Sequence, residues 1–250
     1  MAEPAFARYE RSGPVGVITL HDPPANELPW PEFIPIGLLR EWTAAPGLKG
    51  LIIRGEGRNF SAGGHLETLF TTDPAILPEK MRRGHALLEE FRRLDLPVIA
   101  AINRVCFGGG LEIALACHIR VASENAILAF PEANQGLMPG MGGTFRLPPF
   151  AGFSASAAMI LAGDTITAEE ALNMGLVDHL APKDRAFDAA LTLMHKMTSD
   201  RPVPVIRSVM RALRNAAELP RAEGMREEIR LFCSLAAEEA ERRRKEEADP

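Results

Sequence analysis

Cysteine is scarce: Cys106, Cys117 and Cys233 are the only three in 250 residues. An odd count without metal-ligand spacing gives neither a disulfide framework nor a zinc site, and it fits a reducing cytoplasm. No apolar run approaches the roughly 20 residues that a membrane-spanning helix needs. The first residues, Met1-Ala-Glu-Pro-Ala-Phe-Ala-Arg8, lack a hydrophobic signal core, so a soluble, unexported protein without a membrane partner is expected. An excess of basic charge is missing too. With 28 Lys and Arg against 33 Asp and Glu the net charge is −5, the wrong sign for a nucleic-acid footprint. Several catalytic signatures are also absent. No histidine pair has zincin spacing, and Gly152-Phe-Ser-Ala-Ser156 lacks the last glycine of a nucleophile elbow. Gly140-Met-Gly-Gly143 is too short for a dinucleotide fingerprint, and no Walker sequence occurs. Neither a metal nor a covalently bound cofactor is expected.

What is present is ordinary for a globular protein: 46% hydrophobic and 24% charged residues, enough for one core domain with a helical tail. Against that background stand two glycine-rich turns, Phe60-Ser-Ala-Gly-Gly-His65 and Phe107-Gly-Gly-Gly-Leu-Glu112, each after an apolar strand-like run. Lacking a Cβ, glycine lets the backbone approach a ligand closely and aims its N–H away from a ladder. Residues 111–117 have helix-forming composition, which puts Gly108 to Gly110 at a helix N-terminus, where free N–H groups and the dipole favour an anion. Glu112 falls in the first turn of that helix among Ile113, Leu115 and Ala116; Glu132 follows the strand-like run 126–130. Singly, Glu112 reads as a helix N-terminal acid stabilised by the dipole, and Glu132 as a solvated residue at a strand end. Together with the glycine turns they suit the addition of water to a double bond conjugated to a thioester. Fixed amides stabilise charge on the carbonyl oxygen, an ionised carboxylate takes a proton from water, and a protonated one delivers a proton to carbon. Two close carboxylates resist both being charged, which raises one pKa and separates the roles.

Short β-rich runs at 15–20, 50–54, 98–103, 119–122 and 126–130 lie between Gly, Pro or Asn breaks. A helix is expected over 74–94, with Asp73 as its N-cap and Pro97 past its end. Pro29, Pro31 and Pro35 delay any helix after Asn26, leaving Trp30 and Phe33 as candidates for a pocket wall or for the core. Beyond residue 150 the pattern reads as all helical. The stripes Phe187, Leu191, Met194, Met197 and Met225, Ile229, Phe232, Leu235 there mark core or subunit contact.

Ala25-Asn26, Gly57-Arg-Asn-Phe-Ser-Ala-Gly63, Pro97-Val-Ile-Ala-Ala-Ile-Asn103, Gly108-Gly-Gly-Leu-Glu-Ile-Ala-Leu-Ala-Cys117, Phe130-Pro-Glu-Ala-Asn-Gln-Gly136 and Ala168-Glu-Glu-Ala-Leu-Asn-Met-Gly-Leu-Val177 occur in that order. Their sequence and order resemble the crotonase, or enoyl-CoA hydratase/isomerase, superfamily along nearly the whole chain. The resemblance implies an α/β fold with a crotonase-like ββα spiral core over residues 1–190, and an all-helical trimerisation region over 191–250. It implies oxyanion-hole amides at Gly64 and Gly109 and catalytic glutamates at Glu112 and Glu132. Contacts to substrate and coenzyme A are implied at Ala25, Ala62, His65, Leu66, Gly140 and Phe232, the last reaching a neighbouring subunit's CoA. The implied reaction is reversible hydration of a 2-enoyl-CoA to a 3-hydroxyacyl-CoA, with coenzyme A as part of the substrate, in a cytoplasmic homotrimer or dimer of trimers. The rivals are another reaction of the superfamily on a specialised acyl thioester, and a CoA-binding protein without turnover.

Two positions depart from the superfamily pattern: His65 and His118 stand where relatives commonly carry Asp. For His118 a packed ring satisfied by backbone is expected. A protonated His65 would pair with a phosphate or carboxylate of the ligand. The run Arg242-Arg-Arg-Lys245 reads as a solvated helix end rather than a phosphate contact.

Overall fold

In the computed structural model, which describes residues 6–248, the apolar runs pair into two sheets. The strands are β1 (Ala7–Ser12), β2 (Val15–Leu20), β3 (Gly50–Gly55), β4 (Val98–Ile102), β5 (Val105–Phe107), β6 (Ile119–Ser123), β7 (Ile127–Ala129), β8 (Ile166–Thr167) and β9 (His179–Ala181). The larger sheet has the order β1-β2-β3-β4-β6-β9 and is parallel except between β1 and β2. The smaller has the order β5-β7-β8. The helices are α1 (Ile36–Thr43), α2 (Leu66–Thr71), α3 (Leu77–Arg93), α4 (Gly109–Ala116), α5 (Gly143–Arg146), α6 (Pro148–Ala162), α7 (Ala168–Asn173), α8 (Ala186–Thr198), α9 (Val203–Glu218) and α10 (Arg221–Ala248).

Strands β2 and β4 are buried along their whole length, as expected of a parallel sheet covered on both faces. Alternation divides the side chains of β3 and β4 between two cores. Ile52, Ile99 and Ala101 meet Ala186, Ala190 and Met194 of α8 on one side. Leu51, Ile53, Val98, Ala100 and Ile102 meet Leu87, Leu88 and Phe91 of α3, and the apolar residues of α4, on the other. All eight residues of α4 are buried, so this helix is core on every side, and the one charged residue in it, Glu112, is carried into the interior.

The structure corrects several expectations. The chain beyond residue 150 is not all helical, because β8 and β9 pair with β7 and β6. At two and three residues these strands are too short for alternation to register. Strand β1, Ala-Arg-Tyr-Glu-Arg-Ser, is a sheet edge whose half-charged, mostly exposed sequence hides its pairing. Helix α3 starts at Leu77 instead of 74: Asp73 accepts from the Ala75 amide at 2.9 Å, which closes a local turn, and Ile76 takes the N-cap position. The proline-delayed helix begins directly after Pro35. Helix α8 packs on the sheet, whereas α9 and α10 pack mainly on each other.

Arg120 of β6 fastens the far edge. Its guanidinium, 1% exposed, donates to the carbonyls of Leu176 and Cys117 and to Asp178, with the Asp178 carboxylate 2.7 Å away. Asp178→Ala would leave that charge buried against two carbonyls and the Phe150 ring, at a cost of about 2 kcal/mol, since Asp178 itself is partly exposed. A urea midpoint unchanged by this substitution would contradict the account.

Candidate active site

The first glycine turn is held from behind by Asn26, a buried residue in the left-handed region at φ 52°. Its side chain accepts from the Asp22 amide and donates to the carbonyls of Glu56 and Asn59. Ser61 Oγ donates to Asn26 O and accepts from the Gly63 amide. Gly63 O and the His65 amide pair with Leu28 on either side of Gly64. The Gly64 N–H has no acceptor among the described residues.

The second turn follows β5. Gly108 has φ 49°, and a Cβ there would lie 2.9 Å from Glu132 Oε1, so glycine is required by both conformation and space. Its amide donates to Ala129 O, which turns the chain into α4. Gly109 is the first residue of that helix, and its N–H likewise has no acceptor among the described residues. A Cβ on Gly109 would stand 3.7 Å from the Gly64 nitrogen. The two unpaired amides therefore border one space.

Glu112 and Glu132 border the same space. Glu112 Oε1 accepts from the amides of Met141 and Gly143, each at 2.7 Å. Burial pushes its carboxyl up from the ordinary value to about 7, against the opposing pull of the Gly143 amide; the charge of Glu132 adds a smaller upward push. Glu132 sits in the 3₁₀ turn Pro131–Gln135, with its Oε2 buried and unpartnered, and burial raises its pKa also. Burial, more than the mutual repulsion expected from the sequence, is what shifts the pair. Behind Glu112, Arg146 donates through Nη1 to Met141 O, and its positive charge partly offsets the rise at Glu112.

These groups open on a cavity of about 270 Å³ whose apolar walls include Leu28, Leu69, Leu77, Met81, Leu137 and Met141. Gly64, Gly109, Glu112, Glu132, His65, Leu66 and Gly140 all line it. Ala25 and Ala62 lie outside the lining and pair with each other through backbone, Ala62 N to Ala25 O. Phe232 is also outside it, exposed on α10. His65 serves its own helix: its Nδ1 accepts from the Thr68 amide and caps α2, as an Asp at that position would. His118 is packed as expected, Nδ1 accepting from the Val98 amide and Nε2 donating to Arg92 O, with burial lowering its pKa. Phe33 is core, whereas Trp30 lines the cavity. The Met141 and Gly143 amides leave no mark in the sequence pattern because they meet Glu112 across 29 and 31 residues of chain. Among the described residues no cluster of three His, Cys, Asp or Glu is placed to hold a metal, and no helix is long and apolar enough to cross a membrane.

The enoyl-CoA hydratase/isomerase family profile matches residues 10–247, and the chain belongs to that family. It is 42% identical over 178 residues to a probable enoyl-CoA hydratase of Bacillus subtilis, a match spanning 69% of this chain and 67% of that one. It is 36% identical over 207 residues to fatty acid oxidation complex subunit alpha of Idiomarina loihiensis, covering 79% of this chain and 29% of that longer protein. The solved structure of Pseudomonas aeruginosa DspI superposes with a TM-score of 0.86 at 34% identity, over 94% of this chain and 97% of that one. The fold is the crotonase fold, mixed α/β with several C-terminal helices.

Proposed function

We propose that the protein catalyses the reversible hydration of a 2-enoyl-CoA to a 3-hydroxyacyl-CoA. The observation that carries this reading is the convergence on one cavity of two unpaired amides, Gly64 and Gly109, and two carboxyls, Glu112 and Glu132. The thioester oxygen sits between the amides, which favour the charge it gains as the water oxygen bonds to C3. Glu112 takes the proton from that water, and Glu132 gives a proton to C2 as the enolate collapses. We give Glu112 the base's role because two backbone donors hold its Oε1 in place and its carboxyl, raised to about 7, is ionised above neutral pH; Glu132, whose buried Oε2 is unpartnered, is given the donor's role. Transfer of the proton from Glu112 to Glu132 then resets the pair.

The test is the loss of conjugated enoyl-thioester absorbance with crotonyl-CoA. No loss, with CoA bound, would turn the assignment toward a different reaction of the family. Because the Arg146 charge holds the Glu112 pKa down, Arg146→Met is expected to move the acid limb of kcat/KM to higher pH. A limb moved to lower pH would exclude Glu112 as the group that limb reports. The face of α9 and α10 bearing Leu213, Met225, Ile229 and Phe232 is exposed in the single chain and is proposed as subunit contact. A mass three or six times 27.2 kDa in solution is the expected readout.

A further inference from the structure

We infer that Trp30 is the end wall of the acyl pocket and sets the chain length the protein accepts, an inference that rests on the acyl-CoA reading of the cavity. Besides the two glutamates, that cavity is lined by Leu69, Leu77, Met81 and Leu137. Trp30 and Pro31 line it and also line a second cavity of about 440 Å³, whose wall includes Glu79, Lys80 and Arg83. Trp30 and Pro31 thus form the wall common to the two cavities, the second of which also bears charged side chains.

Three features hold that wall in place. Pro29 and Pro31 flank Trp30, and each fixes its own φ. Gly84 of α3 lets that segment sit close, because a Cβ there would lie 2.4 Å from Pro31 Cβ and 3.2 Å from Met141 Sδ. From the side of the second cavity the Lys80 ammonium lies over the indole face, an attractive placement for a cation. Arg83 is paired with Glu79 and Glu32, whereas Lys80 has no carboxylate partner among the described residues, so its charge faces the ring.

An acyl chain growing along the apolar chamber gains about fourfold in affinity for each methylene that finds cover. At the indole the gain stops, since a further methylene must displace the ring. Removing the ring joins the two chambers.

The test uses saturated acyl-CoAs, which bind but cannot be hydrated, so that pocket and reaction are read separately. Dissociation constants for butyryl-, octanoyl- and tetradecanoyl-CoA are measured with the wild type, Trp30→Ala and Trp30→Phe. In Trp30→Ala the preference for tetradecanoyl- over butyryl-CoA is expected to rise by about tenfold or more relative to the wild type, with Trp30→Phe between them. The chain has two tryptophans, and Trp42 stacks on Tyr9 away from the cavity, so a Trp42→Phe background isolates the Trp30 emission. That emission is expected to change with tetradecanoyl-CoA and not with butyryl-CoA. An unaltered preference in both Trp30 variants, or an equal emission response to both ligands, overturns the inference about Trp30 alone. Failure of all three ligands to bind overturns the acyl-CoA reading together with it.

Discussion

Glu112→Gln is expected to lower kcat for crotonyl-CoA by about a thousandfold or more and, at the same time, to make the protein more stable at pH 8. Both effects come from one buried carboxyl. Glutamine keeps an oxygen for the Met141 and Gly143 amides but cannot accept a proton from water. The stability effect follows from where the proton resides. Folding raises the Glu112 pKa from 4.5 to about 7, so between those values the folded chain holds a proton that the unfolded chain has released. Wild-type stability therefore falls as pH rises through that window, by about 3 kcal/mol in full, and the variant lacks this slope. Urea midpoints at pH 4 and pH 8 measure it: similar at pH 4, with the variant ahead at pH 8. A parallel pH dependence in the two proteins, or turnover near the wild-type rate, would remove Glu112 from the role given to it. Glu132→Gln is expected to suffer a comparable loss of turnover, because it withdraws the proton donor to C2.

Gly64→Pro is expected to slow turnover by about a hundredfold relative to Gly64→Ala. The comparison isolates the N–H. A Cβ on Gly64 meets nothing within 4 Å and its φ is not in the left-handed region, so alanine tests the space and proline the donor. Gly109 does not offer the same comparison. A methyl there would lie 2.8 Å from Leu28 Cδ1 and 3.0 Å from Met141 Cε, and would project toward the Gly64 nitrogen. Loss of activity in Gly109→Ala would therefore report occupation of the site as well as any lost donor. Equal rates for Gly64→Pro and Gly64→Ala, with both folded, would dismiss the Gly64 amide.

The parts of this molecule that are legible in the sequence are those specified locally. Glycine runs after apolar stretches mark both turns, and the proline series marks the late start of α1. The five expected strands all occur, within one residue at either end. What escapes is set by distant partners. Strands β8 and β9 exist because β7 and β6 offer them edges, not through their own two or three residues. Glu112 is placed by its helix, but its fixed orientation comes from a loop some thirty residues away in sequence. His65 stands out in the sequence as an unusual residue beside an anion-binding turn, and the structure gives it a helix to cap. Trp30 and Phe33 share one proline-rich stretch, yet only Trp30 reaches the cavity, a distinction that composition cannot make.

The two backbone amides that hold Glu112 Oε1 also supply the molecule with an internal pH meter. An amide proton bonded to a carboxylate experiences a stronger field when that carboxylate is charged, so the Met141 and Gly143 resonances in a nitrogen–proton correlation spectrum will titrate with Glu112. No other side chain intervenes between reporter and reported group. Their common midpoint gives the ionisation of one glutamate in the resting protein without substrate and without turnover. Following the same two signals as a non-reactive ligand is added would reveal how far its arrival displaces that proton.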